Sequence, residues 1–291
     1  MRIAGSLPEL VEHRRALESE HVVLVPTMGA LHPGHVSLIE LARSVGDRVA
    51  VSIFVNPLQF GPDEDYARYP RPVSEDLATC ERLGVDLAFV PSVADIYPAG
   101  RQVTVNAGPM GAVLEGAARP GHFDGVLTVV LKLMHLIDPH TVIFGQKDAQ
   151  QLACVKRMVT DLNLGIAVVG APTVREPDGL ARSSRNIFLS RADRGLAAGL
   201  SEAVARARTE STTAGACAAA FAVLDRLAED PQFQLDYATV VNPATFAEVD
   251  DSYRGPAVFV VAARVGGLRL IDNTTLSLST ADEATDGPDS D

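Results

Sequence analysis

The chain has 291 residues, 47% hydrophobic and 21% charged, with a formal net charge of −12. That balance belongs to an ordinary soluble globular protein and excludes disordered and fibrous classes. The acidity argues against nucleic acid, which demands a clustered basic surface. No apolar run approaches the roughly eighteen residues of a membrane span, and the start carries no long apolar signal core. Cys80, Cys154 and Cys217 form no metal or redox spacing. A cytoplasmic protein without membrane or nucleic-acid partners is expected.

The opening MRIAGSLPELVEHRRALE reads as an amphipathic helix. From there to about residue 175, near-continuous apolar runs alternate with helical patterns. The runs at 21–27, 48–56, 85–92, 141–146 and 165–174 read as strands buried on both faces of a parallel sheet. Helical stretches at 34–45, 74–83, 124–137 and 148–161 separate them, the last directing Leu152, Val155, Val159 and Leu162 to one stripe. This alternation predicts a doubly wound, Rossmann-like α/β domain over 1–175, with its ligand beyond the carboxyl ends of the strands. A loop rich in Pro, Gly and Ser (175–186) leads to Ser190, the expected N-cap of a helix carrying Leu196, Leu200 and Val204. A second helix places Cys217, Phe221 and Leu224 in register, which predicts a buried thiol at Cys217. LDYATVVNP and the pair AVFVVAARV and LRLIDN, turning at Gly266–Gly267, read as antiparallel strands. A smaller α+β domain closing over the site is therefore expected over 176–279. Residues 280–291 carry five carboxylates and read as a disordered, solvated tail.

Four segments carry chemistry. PTMGALHPGH follows the first of these strands, with Gly29 and Gly34 allowing close backbone approach and Pro33 suited to a first helical turn. Unpaired N–H groups at that helix end are a seat for phosphates. His32 and His35, three residues apart, can donate to phosphoryl oxygens as charge develops; an exposed or metal-binding pair would have the same spacing. In GQKD, Lys147 can meet phosphate while Asp148 accepts from ribose hydroxyls, although a charged helix start would look alike. ARSSRN offers two hydroxyls and two guanidiniums as a phosphate clamp, or serves as a capping linker. It holds no core-forming residue between Leu180 and Ile187. Gln59 in FVNPLQF, together with Gln151, supplies neutral amides that hold a carboxylate without pairing its charge, unless both are exposed loop glutamines.

PTMGALHPGH, FVNPLQFGPDEDYARYPR, RPGHFDGVLTVVLKL, GQKDAQQL and SSRN, in this order and spacing, resemble the pantothenate synthetase (pantoate–β-alanine ligase) family of the nucleotidyltransferase superfamily over nearly the whole chain. The resemblance implies activation of pantoate by ATP as a pantoyl adenylate, its capture by β-alanine, Mg2+ with ATP as co-substrate, and a homodimer. It implies an ATP site of Met28, Gly29, Ala30, Leu31, His32, Pro33, Gly34, His35, Gly145, Gln146, Lys147, Asp148, Val174, Arg182, Ser183, Ser184 and Arg185. Within it His35 is the proton donor, with His32, Lys147 and Arg185 as further catalytic groups. Gln59 and Gln151 are the implied pantoate contacts, and Gln59 also touches β-alanine. Asn56, Arg119, Glu75 and Asp76 are implied supporting groups, the two carboxylates being candidate metal ligands. The sequence departs from the family at Arg182, usually Met, at Gln146, usually Glu, and at Ala149, usually aromatic. Two rivals are an adenylate-forming transferase acting on another small acid and a non-catalytic nucleotide sensor.

Overall fold

The computed structural model describes residues 1–62, 64–210, 218–250 and 252–278. The chain divides into two compact units: Met1–Gln146 with Gln150–Thr173, and Lys147–Ala149 with the residues from Val174 onward. The main division falls between Thr173 and Val174. The transfer of Lys147–Ala149 to the second unit has no counterpart in the sequence pattern.

In chain order the first unit runs β1 (Arg2–Ala4), α1 (Leu7–Arg15), β2 (Val22–Thr27), α2 (Pro33–Val45), β3 (Arg48–Ile53), α3 (Val73–Arg82), β4 (Leu87–Phe89) and α4 (Val93–Ile96). It continues through α5 (Glu115–Ala118), α6 (His122–Ile137), β5 (Thr141–Gly145), α7 (Ala149–Asp161) and β6 (Ala167–Ala171). The six strands form one parallel sheet in the order β1-β4-β3-β2-β5-β6. β2 is central and buried from Val22 to Val25, because unbranched polar positions are absent and helices cover both faces. Strand order reverses between β2 and β5, which pair through Val23–Thr141 and Leu24–Val142. The loops leaving those two strands therefore sit at the topological switch point, where such sheets bind ligands. One begins PTMGALH and the other GQKD.

Three expectations need correction. The first residues are not all helical: Arg2–Ala4 adds a sixth strand at the sheet edge, since short edge strands lack the long apolar run that marks a central one. β6 lies at the opposite edge and is only partly buried. Leu162 lies beyond the end of α7 and is 49% exposed, so the buried stripe ends at Val159. Among the described residues no helix is long and apolar enough to cross a membrane.

The second unit holds α8 (Arg191–Glu210), α9 (Ala218–Leu227), β7 (Phe233–Val241), β8 (Gly255–Val265) and β9 (Leu268–Leu278). Its antiparallel sheet has the order β7-β8-β9, and β8 and β9 are joined at Gly266 and Gly267, both in the left-handed region. That pair of positive φ values matches the twist a two-residue hairpin needs. Ser190 caps α8 by accepting from the Asp193 N–H at 3.1 Å. Leu200, Val204, Leu224, Phe259, Val261 and Leu276 share the core. Phe221 is not a core residue: it is 38% exposed, its ring edge-on to Phe259 at 6.2 Å. Cys217 and the acidic tail lie outside the described residues.

One ion pair anchors this unit. Arg175 forks onto Asp272 at 2.7 and 2.9 Å, and Asp272 also accepts the Asn273 N–H at 2.7 Å. Asp272→Ala would leave the guanidinium without its counter-charge, keeping its hydrogen bond to the Gly179 carbonyl, and should cost about 3 kcal/mol, toward the lower end for a broken buried pair because Arg175 remains 32% exposed. Urea unfolding followed through the second unit should show that loss, and a midpoint within error of wild type would refute the anchor.

Candidate active site

β2 ends at Thr27, and the chain turns through Met28–Leu31 into α2. Gly29 and Ala30 both take left-handed backbone, with φ of 81° and 49°. A side chain at 29 would be strained, and its Cβ would stand 2.8 Å from Asp76 Oδ2 and 3.1 Å from Ile53 Cγ2. Asp76, buried in the first turn of α3, accepts the Ala30 N–H at 2.9 Å on Oδ2 and the Leu31 N–H at 2.7 Å on Oδ1. Thr27 Oγ1 accepts the Gly29 N–H and donates to the Ser52 carbonyl. One carboxylate and one hydroxyl thus hold three consecutive N–H groups.

His32 caps α2, its Nδ1 accepting the Gly34 N–H at 3.1 Å, while His35 Nδ1 accepts the His32 N–H at 3.3 Å. The two rings lie 4.1 Å apart. Glycine at 34 makes room for this, since a Cβ there would stand 2.8 Å from His32 Cε1. With Nδ1 accepting in both rings, the neutral form of each carries its proton on Nε2. The expected seat of unpaired N–H groups is therefore corrected. Pro33 has none, and those of Gly34, His35 and Val36 go to His32 Nδ1 and the His32 carbonyl. The imidazoles, with the helix dipole behind them, carry this turn's capacity to donate to a ligand.

Asn56, 1% exposed, caps the short turn Pro57–Gln59. Its Nδ2 donates to Gln59 Oε1 and to the Gly125 carbonyl, both at 3.1 Å; its Oδ1 accepts the Leu58 N–H and the Tyr97 hydroxyl. Gln59 Nε2 lies 3.0 Å from Met28 Sδ, so two residues singled out separately in the sequence are neighbours. A Cβ at Gly125 would stand 2.2 Å from the Leu58 carbonyl oxygen, which is why α6 needs glycine where it crosses this turn. The Gln59 carbonyl accepts from His122 Nδ1 at 2.8 Å and Arg119 Nη2 at 3.2 Å, and Arg119 forks onto Glu64 at 2.8 and 2.6 Å. Burial first, and the Arg119 charge second, push the His122 pKa down to about 4. The Arg119 hydrogen bond holds Glu64 below the usual carboxylate range. Glu64, Tyr97 and His122 went unnoticed in sequence because their partners lie 41 to 63 positions away.

Gln151 is partly exposed at the start of α7. Its neighbour Gln150 is buried, donating to the Met110 and Val113 carbonyls and accepting the Glu115 N–H. At the end of β5, Gly145 pairs with Ala171, and Gln146 donates its N–H to the Ala171 carbonyl at 2.8 Å. Of the two candidate metal ligands, Asp76 gives both its oxygens to backbone N–H groups, and Glu75 is an exposed residue of the same helix. Among the described residues no group of three His, Cys, Asp or Glu could hold a metal ion.

In the second unit the Val174 carbonyl accepts the Arg182 N–H at 2.9 Å, and Arg175 bridges to Ala181. Ser183 caps the short helical turn Ser184–Phe188 by accepting the Arg185 N–H at 3.2 Å. The expectation that no core-forming residue lies between Leu180 and Ile187 is corrected: Ala181 and Asn186 are buried, and Asn186 Nδ2 donates to Glu176 Oε1 at 2.9 Å and the Ala181 carbonyl at 3.1 Å. Arg194 in turn holds Glu176 and Asp178. Lys147 is tied to the same unit by Asn273 Nδ2, which donates to its carbonyl at 2.8 Å. Asp148 beside it is exposed.

Asp76→Asn tests the turn. An amide can accept only one of the two N–H groups and sets an NH2 against the other, a loss of about 1–3 kcal/mol. The unfolding midpoint should fall accordingly, and ligand-free hydrogen exchange should speed up at Ala30 and Leu31; unchanged exchange there would sink the assignment.

The model of the family described as Pantoate-beta-alanine ligase matches residues 2–275. A pantothenate synthetase of Acidothermus cellulolyticus is 53% identical over 274 residues, covering 93% of this chain and 90% of the relative. One from Thermobifida fusca is 55% identical over 266 residues, covering 88% and 90%. The crystal structure of pantothenate synthetase from Thermus thermophilus superposes with a TM-score of 0.87 at 46% identity, covering 94% of this chain and 99% of that one. A pantoate-beta-alanine ligase from Francisella tularensis, complexed with Beta-gamma ATP and β-alanine, does so with a TM-score of 0.78 at 35% identity, covering 94% and 97%. A match of this extent, on a fold whose switch-point loops hold the paired histidines, shows that the chain belongs to the pantoate–β-alanine ligase family.

Proposed function

We propose that this enzyme joins pantoate to β-alanine in two ATP-driven steps. A pantoate carboxylate oxygen attacks the α-phosphorus of ATP, the bond to the β-phosphate breaks, and pyrophosphate leaves. The β-alanine amine then attacks the acyl carbon, the acyl–phosphate bond breaks, and AMP departs with the amine losing a proton. The observation that carries this reading is the His32–His35 pair, whose Nδ1 atoms are engaged by backbone N–H groups so that each neutral ring is an Nε2–H donor. Fixed donors of this kind stabilise phosphoryl charge as it develops, without reorganising. Family membership and the Francisella complex with its nucleotide and β-alanine support the choice of substrates.

In this reading Met28–His35, Gly145–Asp148, Val174 and Arg182–Arg185 bind ATP, with His35, His32, Lys147 and Arg185 neutralising the phosphates. Gln59 and Gln151 bind pantoate, and Gln59 also meets β-alanine. Holding a nucleophilic carboxylate by amides leaves its charge available for attack. Magnesium bound with the nucleotide would supply further neutralisation of phosphate charge beside Lys147, Arg185 and the two histidines, as is usual for this ion. The setting is the cytoplasm, where ATP is supplied.

Pantoate alone should support exchange of labelled pyrophosphate into ATP, and another small acid in its place should not. His35→Ala should slow that exchange by roughly a hundredfold to ten-thousandfold. Because His35 also closes the cap of α2, the variant should lose about 0.5–1 kcal/mol of stability. Exchange that strictly needs β-alanine, or a near-normal rate in His35→Ala, would overturn the scheme.

A homodimer is part of the proposal, favoured by residues 101–107, which run without turn or bend outside both sheets. The Val105 and Ala107 N–H groups donate to Thr128 Oγ1 at 3.0 Å and Asp124 Oδ1 at 2.8 Å, docking one edge. In extended backbone the groups of Gln102, Thr104 and Asn106 then lie along the other edge. Antiparallel pairing with a second copy about Thr104 sets Gln102 opposite Asn106, brings no like charges together and covers Val103, now 81% exposed. Sedimentation should show a dimer, weakened toward monomer by Thr104→Pro, which removes the central donor of that edge. A monomeric wild type would exclude this partner.

A further inference from the structure

Gln59 is held at its side chain, by Asn56 and beside Met28, and separately at its main chain. Asn56 fixes its side chain, through Nδ2 to Gln59 Oε1 at 3.1 Å. Its main chain is fixed from α6 and the segment before it. The Gln59 carbonyl accepts from His122 Nδ1 at 2.8 Å and from Arg119 Nη2 at 3.2 Å. Arg119 is locked in turn, its Nε and Nη2 forked onto the two oxygens of Glu64 at 2.8 and 2.6 Å. Its remaining nitrogen, Nη1, meets His122 Nε2 at 3.1 Å.

The proton positions in this group follow from the partners. A guanidinium can only donate, so His122 Nε2 must accept and Nδ1 must carry the proton given to the Gln59 carbonyl. A second proton on the ring would point at Arg119 and break the contact. Burial and the Arg119 charge keep His122 neutral, with a pKa near 4, so the arrangement persists across the physiological range. Neither lysine, which cannot accept, nor a carboxylate, which cannot donate, would bridge Arg119 to a carbonyl in this way.

We infer that His122 is a positioning residue for substrate binding: with Arg119 and Glu64 behind it, it aims the Gln59 main chain so that the Gln59 amide meets the acid substrate. This rests on Gln59 being the pantoate contact. The group bears on the acid more directly than on the nucleotide: His122, Arg119 and Glu64 bond to the Gln59 carbonyl and to one another, and the ATP-binding stretch is met only through the Gln59 amide, at Met28 Sδ.

His122→Ala should raise the pantoate KM by roughly tenfold to a hundredfold, the effect of losing one hydrogen bond that holds a buried partner. The KM for ATP should stay within about twofold, as expected for a change confined to acid binding. His122→Asn, which keeps a donor near the Nδ1 position, should recover most of the loss. Adding His122→Ala to Gln59→Ala should raise the pantoate KM no further, since the brace has nothing left to aim. Should His122→Ala not fold, Arg119→Lys keeps the charge opposite Glu64, loses the fork, and should move the same KM in the same direction. If Gln59→Ala leaves the pantoate KM unchanged, the reading of Gln59 itself fails. If Gln59→Ala raises it while His122→Ala and Arg119→Lys do not, or raise the KM for ATP equally, His122 is a structural residue only and the inference is overturned.

Discussion

Asp76 reaches from the first turn of α3 to the Ala30 and Leu31 N–H groups, and the turn between β2 and α2 depends on that contact. Two successive residues in the left-handed region are costly for anything but glycine, and Ala30 is not glycine. A carboxylate that accepts both N–H groups offsets that cost and is itself satisfied by them in its buried position. The position of His32 at the helix end follows, and so does the closure of the cap by His35. A residue that looks in sequence like a metal ligand thus serves as the fixed point of the site.

The parallel sheet supplies the remaining geometry. With β2 beside both β3 and β5, the loops after β2 and β5 open at the place where strand order reverses. The turn after β3 lies against Met28 through Gln59 and against α6 through Asn56 and Gly125. Here glycine is a matter of space: α6 comes so close to the Leu58 carbonyl that no side chain fits between. Gln59 is therefore placed by a helix that begins more than sixty residues later.

The second unit solves a different problem. Its three antiparallel strands bury one face under α8 and α9, and its polar anchors are Arg175–Asp272 and the Asn186–Glu176–Arg194 chain. These hold the serine and arginine segment by its ends, leaving Arg182 and Arg185 partly exposed between them. Asn273 adds a tie to the Lys147 carbonyl, and Lys147 belongs to the same compact unit as the residues from Val174 onward.

Apolar runs and helical spacing determined by themselves the alternation of the first unit, the hairpin at Gly266–Gly267 and the Ser190 cap, because each depends on neighbours within a few positions. The motifs likewise determined the family and the identity of the paired histidines. Strand order, the edge strands β1 and β6, and the exposure of Leu162 and Phe221 were decided only by the folded chain. So were the work of Asp76 and the Glu64–Arg119–His122 brace. Each of those depends on which groups meet across forty or more residues, and a carboxylate that holds a turn is written with the same letter as one that holds a metal.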